Sequence, residues 1–385
     1  MSSRTVRHPI RTPAGRVDRW RWNLKTALAT AIAGARDRGL WPLAPRAARA
    51  LVVGYHRVVE HFDDASRSDM PSMLTSVAMF ERHLDCIGRH FRFVTLDEIG
   101  EHVAEGRPFD RPVAAVTFDD GYRDVYELAL PVLKRKGIPA AMFVVTDLVG
   151  KPVWQVHDRL YHLMRKALAV WRDPREELAG LLRSLGRPGA DLARKRSTTR
   201  TPLETVSALL PRLRYTDVRR LMDRLEAVVG NGFHRVPLAA GWDELAEMQR
   251  AGFTIGSHTR RHVSLPAEDP DVIRDELEAS RRQIELALGG PVRHFAYPGG
   301  QFTPPVVDAV GRAGYAFAYT ACPHGDARQP ALTIERLLLW ERSSVDADGR
   351  FSPAILSCQM HGLWPPARQC ARVHRQPPAR HALDG

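Results

Sequence analysis

Residues 113–121, with the sequence VAAVTFDDG, contain the pattern that decides the fold. Val113–Phe118 is an apolar run of strand length that stops at the Asp119-Asp120-Gly121 turn, so it predicts a buried β-strand. The spacing of apolar residues predicts a helix over 125–136, and the apolar run at 140–145 predicts the next strand. Strand, helix and strand in this order are typical of a parallel βαβ unit.

The same alternation is predicted along most of the chain after residue 50. Further strands are predicted at 51–55, 253–256, 295–297 and 316–320, and further helices at 77–90, 242–251, 272–288 and 306–314. This alternation predicts an α/β fold, in which a parallel sheet is either open or closed into a barrel and helices lie outside it. Because ligand sites in both forms collect where strands end, polar residues directly after a predicted strand are the candidates for chemistry.

Three segments depart from this pattern and define the predicted domain organisation. Residues 1–50 are predicted to form a basic N-terminal arm, and residues 51–345 the catalytic domain. Within that domain, residues from about 154–240 predict several helices with a basic loop, RKRSTTRTP, and are interpreted as a helical insertion between two core strands. Residues 346–385 form a C-terminal tail rich in Pro, Arg and His, which we expect to be poorly ordered.

Positive charge is concentrated in the N-terminal arm. The 385-residue chain has a formal net charge of +12, and residues 1–50 alone contribute +9. Such an arm suits an anionic partner, namely a phospholipid surface, a polyphosphate-linked substrate or a nucleic acid, and it is equally explained as a solvated arm from an Arg-rich proteome. Its apolar residues recur at roughly helical spacing, which predicts a helix that lies on a membrane surface or packs on the main domain. These residues are Trp20, Trp22, Leu24, Leu28 and Ile32.

Composition and cysteine usage narrow the class of protein. Apolar residues make up 44% of the chain and charged residues 26%, which is within the globular range. The four cysteines form no C-x-x-C pair, which disfavours a disulfide framework and a zinc–cysteine site and favours small buried residues. No secretory signal and no run of about 20 apolar residues is visible, so we expect a cytoplasmic protein that could associate with a membrane. The cysteines are Cys86, Cys322, Cys358 and Cys370.

Two pairs of polar residues follow predicted strands. Asp119 and Asp120 repel each other, so they coexist most easily if a cation neutralises one of them and the other is free to act as a base. His258 and His262 follow the strand at 253–256, and one helical turn would bring both imidazoles to one ion at ~2.0–2.1 Å. Two histidines and a carboxylate leave positions open for water and substrate, as at a catalytic divalent metal. The alternatives are a simple turn and two solvent-facing histidines, and the missing Glu of an H-E-x-x-H motif disfavours a zinc protease.

Three motifs in a fixed order strengthen the metal hypothesis. They are TFDDG at 117–121, SHTRRH at 257–262 and RHFAYPGG at 293–300. With these motifs the chain resembles the polysaccharide deacetylase family, the carbohydrate esterases related to chitooligosaccharide and peptidoglycan deacetylases, over about residues 51–340. The resemblance implies an incomplete (β/α)7 barrel that the helical insertion interrupts.

The resemblance also implies a role for each site residue. A divalent metal, with Zn²⁺ expected and Co²⁺ or Ni²⁺ as alternatives, would polarise the amide carbonyl and activate water. Asp119 would act as the general base, Arg293 would charge-pair with that base, and the backbone N–H of Tyr297 would stabilise the oxyanion. The implied metal ligands are Asp120, His258 and His262.

The general acid is where this chain departs from the family, because the late Leu-x-His motif has no clean match. His56, His324 and His361 remain as candidates for protonating the leaving amine. The resemblance implies hydrolysis of a linear amide C–N bond, which would remove N-acetyl groups from an N-acetylhexosamine glycan or glycolipid intermediate.

Three other hypotheses stay open. An amidase or deformylase acting on a non-sugar amide would use the same motifs, and aromatic residues lining the cleft would favour a sugar instead. A basic nucleic-acid-binding protein is disfavoured, because no helix-turn-helix, zinc finger or RNA-recognition signature is visible. An inactive glycan-binding relative is disfavoured by the intact set of Asp119, Asp120, His258 and His262.

Overall fold

The computed structural model describes residues 16–38, 50–186, 201–230 and 238–363. The chain divides into two compact units. The smaller consists of Met1–Ala44 with Arg342–Trp364, and the larger of Pro45–Glu341 with Pro365–Gly385.

Helices and strands alternate along most of the described part of the chain. The helices are α1 (Arg16–Asp37), α2 (Phe62–Ala65), α3 (Val77–Gly88), α4 (Leu96–Ala104), α5 (Leu130–Lys136), α6 (Val156–Val170), α7 (Pro174–Ser184), α8 (Pro202–Leu209), α9 (Tyr215–Val229), α10 (Trp242–Arg250), α11 (Pro270–Leu288), α12 (Pro304–Arg312) and α13 (Pro353–Met360). The strands are β1 (Ala50–Tyr55), β2 (Arg57–Val59), β3 (Leu74–Ser76), β4 (Arg92–Phe93), β5 (Val113–Phe118), β6 (Ala140–Val144), β7 (Phe253–Ser257), β8 (His294–Ala296), β9 (Phe317–Thr320), β10 (Ile334–Glu335) and β11 (Leu337–Leu338).

The core of the larger unit is a parallel sheet that nearly closes on itself. Its neighbouring strands run in the order β10, β9, β8, β7, β6, β5, β1 and β11, and β4 pairs with β5 beside this path. β10 pairs with β9 and β11 pairs with β1, and Arg336 is the single residue between β10 and β11. Residues 334–338 therefore lie between β9 and β1. The result is a barrel of parallel strands with helices, which confirms the predicted fold class.

The barrel strands are buried on both faces, and this explains their sequence. All six residues of β5 are buried, as are Ala140–Val144 in β6. A parallel strand covered on both sides reads as a continuous apolar run and not as an alternating one. Gly137, with φ 63°, ends α5 in the left-handed conformation, as its position after the predicted helix required.

Helices α6 to α9 lie along the chain between β6 and α10, where the sequence predicted an insertion. They have an apolar core of their own, in which α6 packs against α8 and α9. Buried members of this core include Leu160, Met164, Leu178, Leu209, Leu221 and Leu225. The insertion therefore adds a second, helical core to the barrel unit.

The smaller unit contains α1 and α13, which pack on each other through Ala29, Ile355 and Cys358. The segment predicted as a tail thus contains one packed helix, while residues 364–385 lie outside the described part. On α1, Leu24 and Leu28 are 59% and 50% exposed, and the side chains of Trp20 and Trp22 are outside the described set. Within the described ranges, no helix combines the length and apolar character needed to cross a membrane.

Candidate active site

The two predicted carboxylates lie at the carboxyl end of β5, in a tightly bent turn. Asp120 and Gly121 both have φ 71°, the left-handed region that a side chain disfavours. A Cβ on Gly121 would make a tight contact of 3.2 Å with a methyl group of Val144, and the positive φ by itself strongly favours glycine there. The turn leaves Asp119 and Asp120 only 3% and 1% exposed.

Asp120 is a buried carboxylate that lacks hydrogen bonds: among the described residues, neither of its oxygens has a partner. Burial, followed by repulsion from Asp119 and Asp158, raises the pKa of Asp120 well above its usual range. Leaving a buried carboxylate unsatisfied is costly, and a bound cation would remove that cost. The position therefore fits a metal ligand.

Three imidazole nitrogens face the Asp120 carboxylate. The Nε2 atoms of His262 and His258 lie 3.4 and 3.7 Å from Oδ1, and Nε2 of His157 lies 3.5 Å from Oδ2. Ligands of a tetrahedral ion with bonds of about 2.0–2.1 Å are separated by about 3.4 Å. Burial lowers the pKa of all three histidines, which keeps them in the neutral form that binds metal.

His258 is oriented as a metal ligand by its second nitrogen. Its Nδ1 lies 2.8 Å from the carbonyl oxygen of Ala296, which can only accept, so Nδ1 carries the proton. The lone pair of Nε2 therefore points to the Asp120 side. Metal-binding histidines commonly have this arrangement, with a backbone carbonyl fixing the tautomer.

The predicted helical turn between His258 and His262 is wrong. Thr259 and His262 have φ 67° and 58°, so the segment is a bent loop after β7. Its amides are held by side chains instead: Thr259 Oγ1 accepts from the His262 N–H at 2.9 Å. Glu276 on α11 accepts from the N–H groups of the two intervening arginines, each at 2.9 Å. The two imidazoles still meet, with ring centres 4.9 Å apart.

His157, which the sequence analysis did not select, is the third histidine. It is the second residue of α6, in the insertion, and its ligand atom lies within 4.8 Å of those of Asp120 and His262. The Tyr122 hydroxyl donates to Asp158 at 2.7 Å and therefore accepts from the same His157 nitrogen at 2.9 Å, which holds the ring in place. Nε2 carries the proton in this arrangement, so a metal bound to it would replace the hydrogen bond to Tyr122. A histidine opening a helix in an insertion has no local signature, so only the tertiary structure identifies it.

Asp119 is paired with Arg336, which the sequence analysis also missed. Nη1 and Nη2 of Arg336 donate to the two Asp119 oxygens at 2.7 and 2.8 Å, and both residues are 3% exposed. Burial alone would raise the Asp119 pKa, but the charge and the hydrogen bonds of Arg336, with smaller contributions from neighbouring groups, lower it to about 2. Asp119 is therefore ionised and fixed in orientation.

The predicted pairing of Arg293 with Asp119 is wrong. Nη1 of Arg293 donates to Asp97 at 2.6 Å and to Glu101 at 3.2 Å, and its side chain is 41% exposed. The physical reason is topological. Arg293 precedes β8 and so lies at the amino end of the barrel, whereas Asp119 follows β5 at the carboxyl end.

The predicted oxyanion role of the Tyr297 N–H is also contradicted. That N–H donates to the carbonyl oxygen of Tyr319 at 3.0 Å, and the Tyr297 hydroxyl donates to the Leu332 carbonyl at 2.9 Å. Both donors of this buried residue are committed to the barrel, since Tyr297 follows β8 and continues its pairing with β9. Tyr297 therefore has a structural part in this arrangement.

One cavity of about 390 Å³ contains the carboxylates and histidines. His56 lines it, while His324 lies 3.5 Å from the Cys322 sulfur and His361 lies 2.8 Å from the Ser357 carbonyl, and neither is among the lining residues. Burial, opposed by the charge of Asp119, lowers the pKa of His56 to about 4. Of the three candidate acids, His56 is the one that a substrate in this cavity would meet.

Comparison with known proteins places this geometry in a family. The profile of the family described as polysaccharide deacetylase matches residues 106–178 and 202–318. A Staphylococcus aureus poly-beta-1,6-N-acetyl-D-glucosamine N-deacetylase is 30% identical over 129 residues, which are 31% of this chain and 44% of that protein. The match thus spans less than half of the curated relative.

The fold comparison agrees with the barrel topology. The structure of the Streptococcus pyogenes deacetylase PplD in complex with acetate superimposes with a TM-score of 0.51 at 15% identity. The superposition covers 81% of this chain and 97% of that one. At this identity the likeness shows a shared fold.

Proposed function

The chain belongs to the polysaccharide deacetylase family, and from that premise we propose that it hydrolyses the N-acetyl amide of an N-acetylhexosamine-containing glycan or glycolipid. The observation that carries the proposal is the pair of unlike carboxylates in one cavity. Asp120 is unsatisfied and faces three imidazoles, while Asp119 is held ionised by Arg336. A metal-dependent amide hydrolase needs one carboxylate as a metal ligand and another as a general base, and these two residues fit those roles.

We propose that Asp120 and His262 hold a divalent metal, for which Zn²⁺ is the first expectation. His258, His157 or both would complete the set of protein ligands. When bound, the metal supplies Lewis-acid polarisation of the amide carbonyl and of the attacking water. The buried, hydrogen-bond-free oxygens of Asp120 and the Nε2 of His258 are the features of this chain that fit such an ion.

The remaining steps belong to the side chains around Asp119. Asp119 removes a proton from water, whose oxygen then bonds to the amide carbon. The C–N bond breaks, acetate leaves, and the sugar nitrogen takes the proton that Asp119 removed from water. His56 is neutral at pH 7, because burial lowers its pKa to about 4, and it is proposed to pass that proton from Asp119 to the nitrogen. Arg336 keeps Asp119 ionised and aimed at the cavity, so it acts as a positioning residue.

Acetate release tests this proposal. Purified protein is assayed on N-acetylglucosamine oligomers and on lipid-linked N-acetylglucosamine, before chelation, after chelation and after addition of Zn²⁺, Co²⁺ or Ni²⁺. We expect acetate release that chelation abolishes and metal restores, and none from Asp119→Asn. Full activity in the chelated protein would contradict the metal, and absence of acetate from every substrate would contradict the reaction.

We further propose that the protein works in the cytoplasm, at an anionic membrane surface that the N-terminal arm contacts. The charge of +9 in residues 1–50 and the exposed Leu24 and Leu28 of α1 support this contact. Cosedimentation with acidic liposomes at low salt tests it, with a truncation starting near Ala47 as control. Equal binding of both proteins would contradict the role of the arm, and tighter binding to nucleic acid than to lipid would favour a different partner.

A further inference from the structure

The cavity over Asp119 and Asp120 has a second wall that the proposed chemistry does not use. This wall is apolar and comes from the helical insertion and from the segment just before β3. Its principal residues are Met70, Met73, Leu203, Val206, Leu210 and Val218. It thus lines the same cavity as the reacting groups and faces whatever binds there.

The wall offers little that a sugar hydroxyl could bond to. Outside the metal-centre residues, the polar side chains that line the cavity include the hydroxyls of Ser72, Ser207 and Ser264 and the amide of Gln301. Tyr215 is the sole aromatic residue other than histidine among the described lining residues. Sugar hydroxyls placed against the apolar wall would lose their hydrogen bonds to water without replacement, which is unfavourable. A run of further sugar units is therefore a poor occupant.

An aliphatic chain is a good occupant, because burying apolar surface against apolar surface is favourable. Val206 and Val218 are each 3% exposed, and Leu203 and Leu210 are partly buried beside the insertion core, so the wall is supported from behind. The proposed reaction removes an acetyl group, whose two carbons cannot fill a cavity of about 390 Å³. The chain must then belong to the part of the substrate that stays behind.

We propose that the substrate is a glycolipid: its N-acetylated sugar lies over Asp119 and Asp120, and its aliphatic chain lies against α8 and α9. This inference rests on the proposed function and names the substrate class of the same site. It assigns the insertion as the element that selects a lipid-linked sugar over a free glycan.

A chain-length series tests the proposal. Methyl, butyl and octyl glycosides of N-acetylglucosamine, kept below their micellar concentrations, are compared with an N-acetylglucosamine tetramer by acetate release. A fully buried methylene contributes about fourfold, so we expect kcat/KM to rise at least about tenfold from methyl to octyl. A tetramer that equals the octyl glycoside, or an octyl-to-methyl ratio near one, would overturn the proposal.

Two further arms separate the alternatives. The first compares the methyl glycosides of N-octanoylglucosamine and N-acetylglucosamine. If the N-octanoyl compound is cleaved faster, the apolar wall binds the acyl group that is removed, and the glycolipid assignment is wrong. Leu203→Gln and Leu210→Gln should lower the octyl-to-methyl ratio severalfold, whereas Val228→Gln, at a 52% exposed site on α9, should leave it unchanged. Equal ratios in all three variants would remove the wall from the recognition of the chain.

Direct binding distinguishes failure of this inference from failure of the proposed function. Octyl and methyl glucoside, which carry no amide, are titrated calorimetrically into Asp119→Asn protein. We expect the octyl compound to bind at least about tenfold more tightly, and Leu210→Gln in the same background to reduce that difference. If no acetate is released from any substrate but octyl binding persists, the reaction is wrong while the chain site stands. Indistinguishable binding of the two glucosides would overturn the chain site itself.

Discussion

Replacing Arg336 with Met tests the central electrostatic feature of the site. Arg336 and Asp119 form a buried bidentate pair at 2.7 and 2.8 Å, and both are 3% exposed. Removing one partner of a buried pair strands the other charge and typically costs about 3–5 kcal/mol. For a domain of this size that corresponds to a fall in Tm of roughly 10 °C.

The same change should act on the base itself. With Arg336 in place, the pKa of Asp119 is about 2: burial raises it, but the charge and hydrogen bonds of Arg336, with the neighbouring groups, together lower it further. Without it, burial dominates and the pKa rises above its ordinary value, so the acid limb of kcat/KM against pH moves to higher pH. Loss of an oriented, ionised general base typically lowers turnover about 10²–10⁴-fold. Thermal unfolding and pH–rate profiles measure the two effects separately.

Arg293→Met is the matched control. The Arg293 side chain is 41% exposed and its bond to Asp97 is a surface ion pair, typically worth about 0–1 kcal/mol. We expect little change in Tm and none in the pH profile. In an Asp119→Asn background, Arg336→Met should cost less stability than in the wild type, because no carboxylate is left unpaired. The reasoning is refuted if Arg293→Met abolishes activity while Arg336→Met retains it, or if Arg336→Met lowers Tm and leaves the pH profile unchanged.

Three further predictions concern the metal and acid stability. Asp120→Asn should lose stoichiometric metal, whereas Asp119→Asn should keep it and lose turnover; elemental analysis showing metal in both would leave Asp120 outside the ion's ligands. His262→Ala should likewise lose metal, and His157→Ala should weaken Zn²⁺ binding measured by competition with a chelating dye; unchanged affinity would remove His157 from the ligand set. His83, whose pKa burial lowers to about 3, stays neutral in the fold but is protonated below about pH 6.5 when unfolded. Stability from this group is therefore lost as pH falls below about 6.5, by up to about 1.4 kcal/mol per pH unit, and urea unfolding of His83→Gln should show a shallower loss; identical slopes would contradict the assignment.

The sequence alone determined where most helices and strands lie, and it identified the site residues that directly follow a predicted strand. Strand β5 was predicted with the bounds that it has in the structure, and α11 begins only two residues before its predicted start, at Pro270. Hydrophobic runs and end signals act within a few residues, so they are readable without tertiary knowledge. Asp119 and Asp120 were found for the same reason, because they directly follow a recognisable strand.

Only the tertiary structure decided which distant groups meet those carboxylates. Arg336 lies 217 positions after Asp119, between two strands of two residues each, too short to give a hydrophobic pattern. It reaches Asp119 because β10 and β11 fit between β9 and β1 as the barrel nearly closes. Arg293 was selected from its motif but lies at the amino end of the barrel, opposite the carboxyl end where Asp119 lies. His157 belongs to the insertion and lies beside Asp120 only in the folded protein. Charge pairing and metal coordination act over about 2–4 Å, so they depend on which chain segments the fold makes neighbours, and local sequence does not encode that.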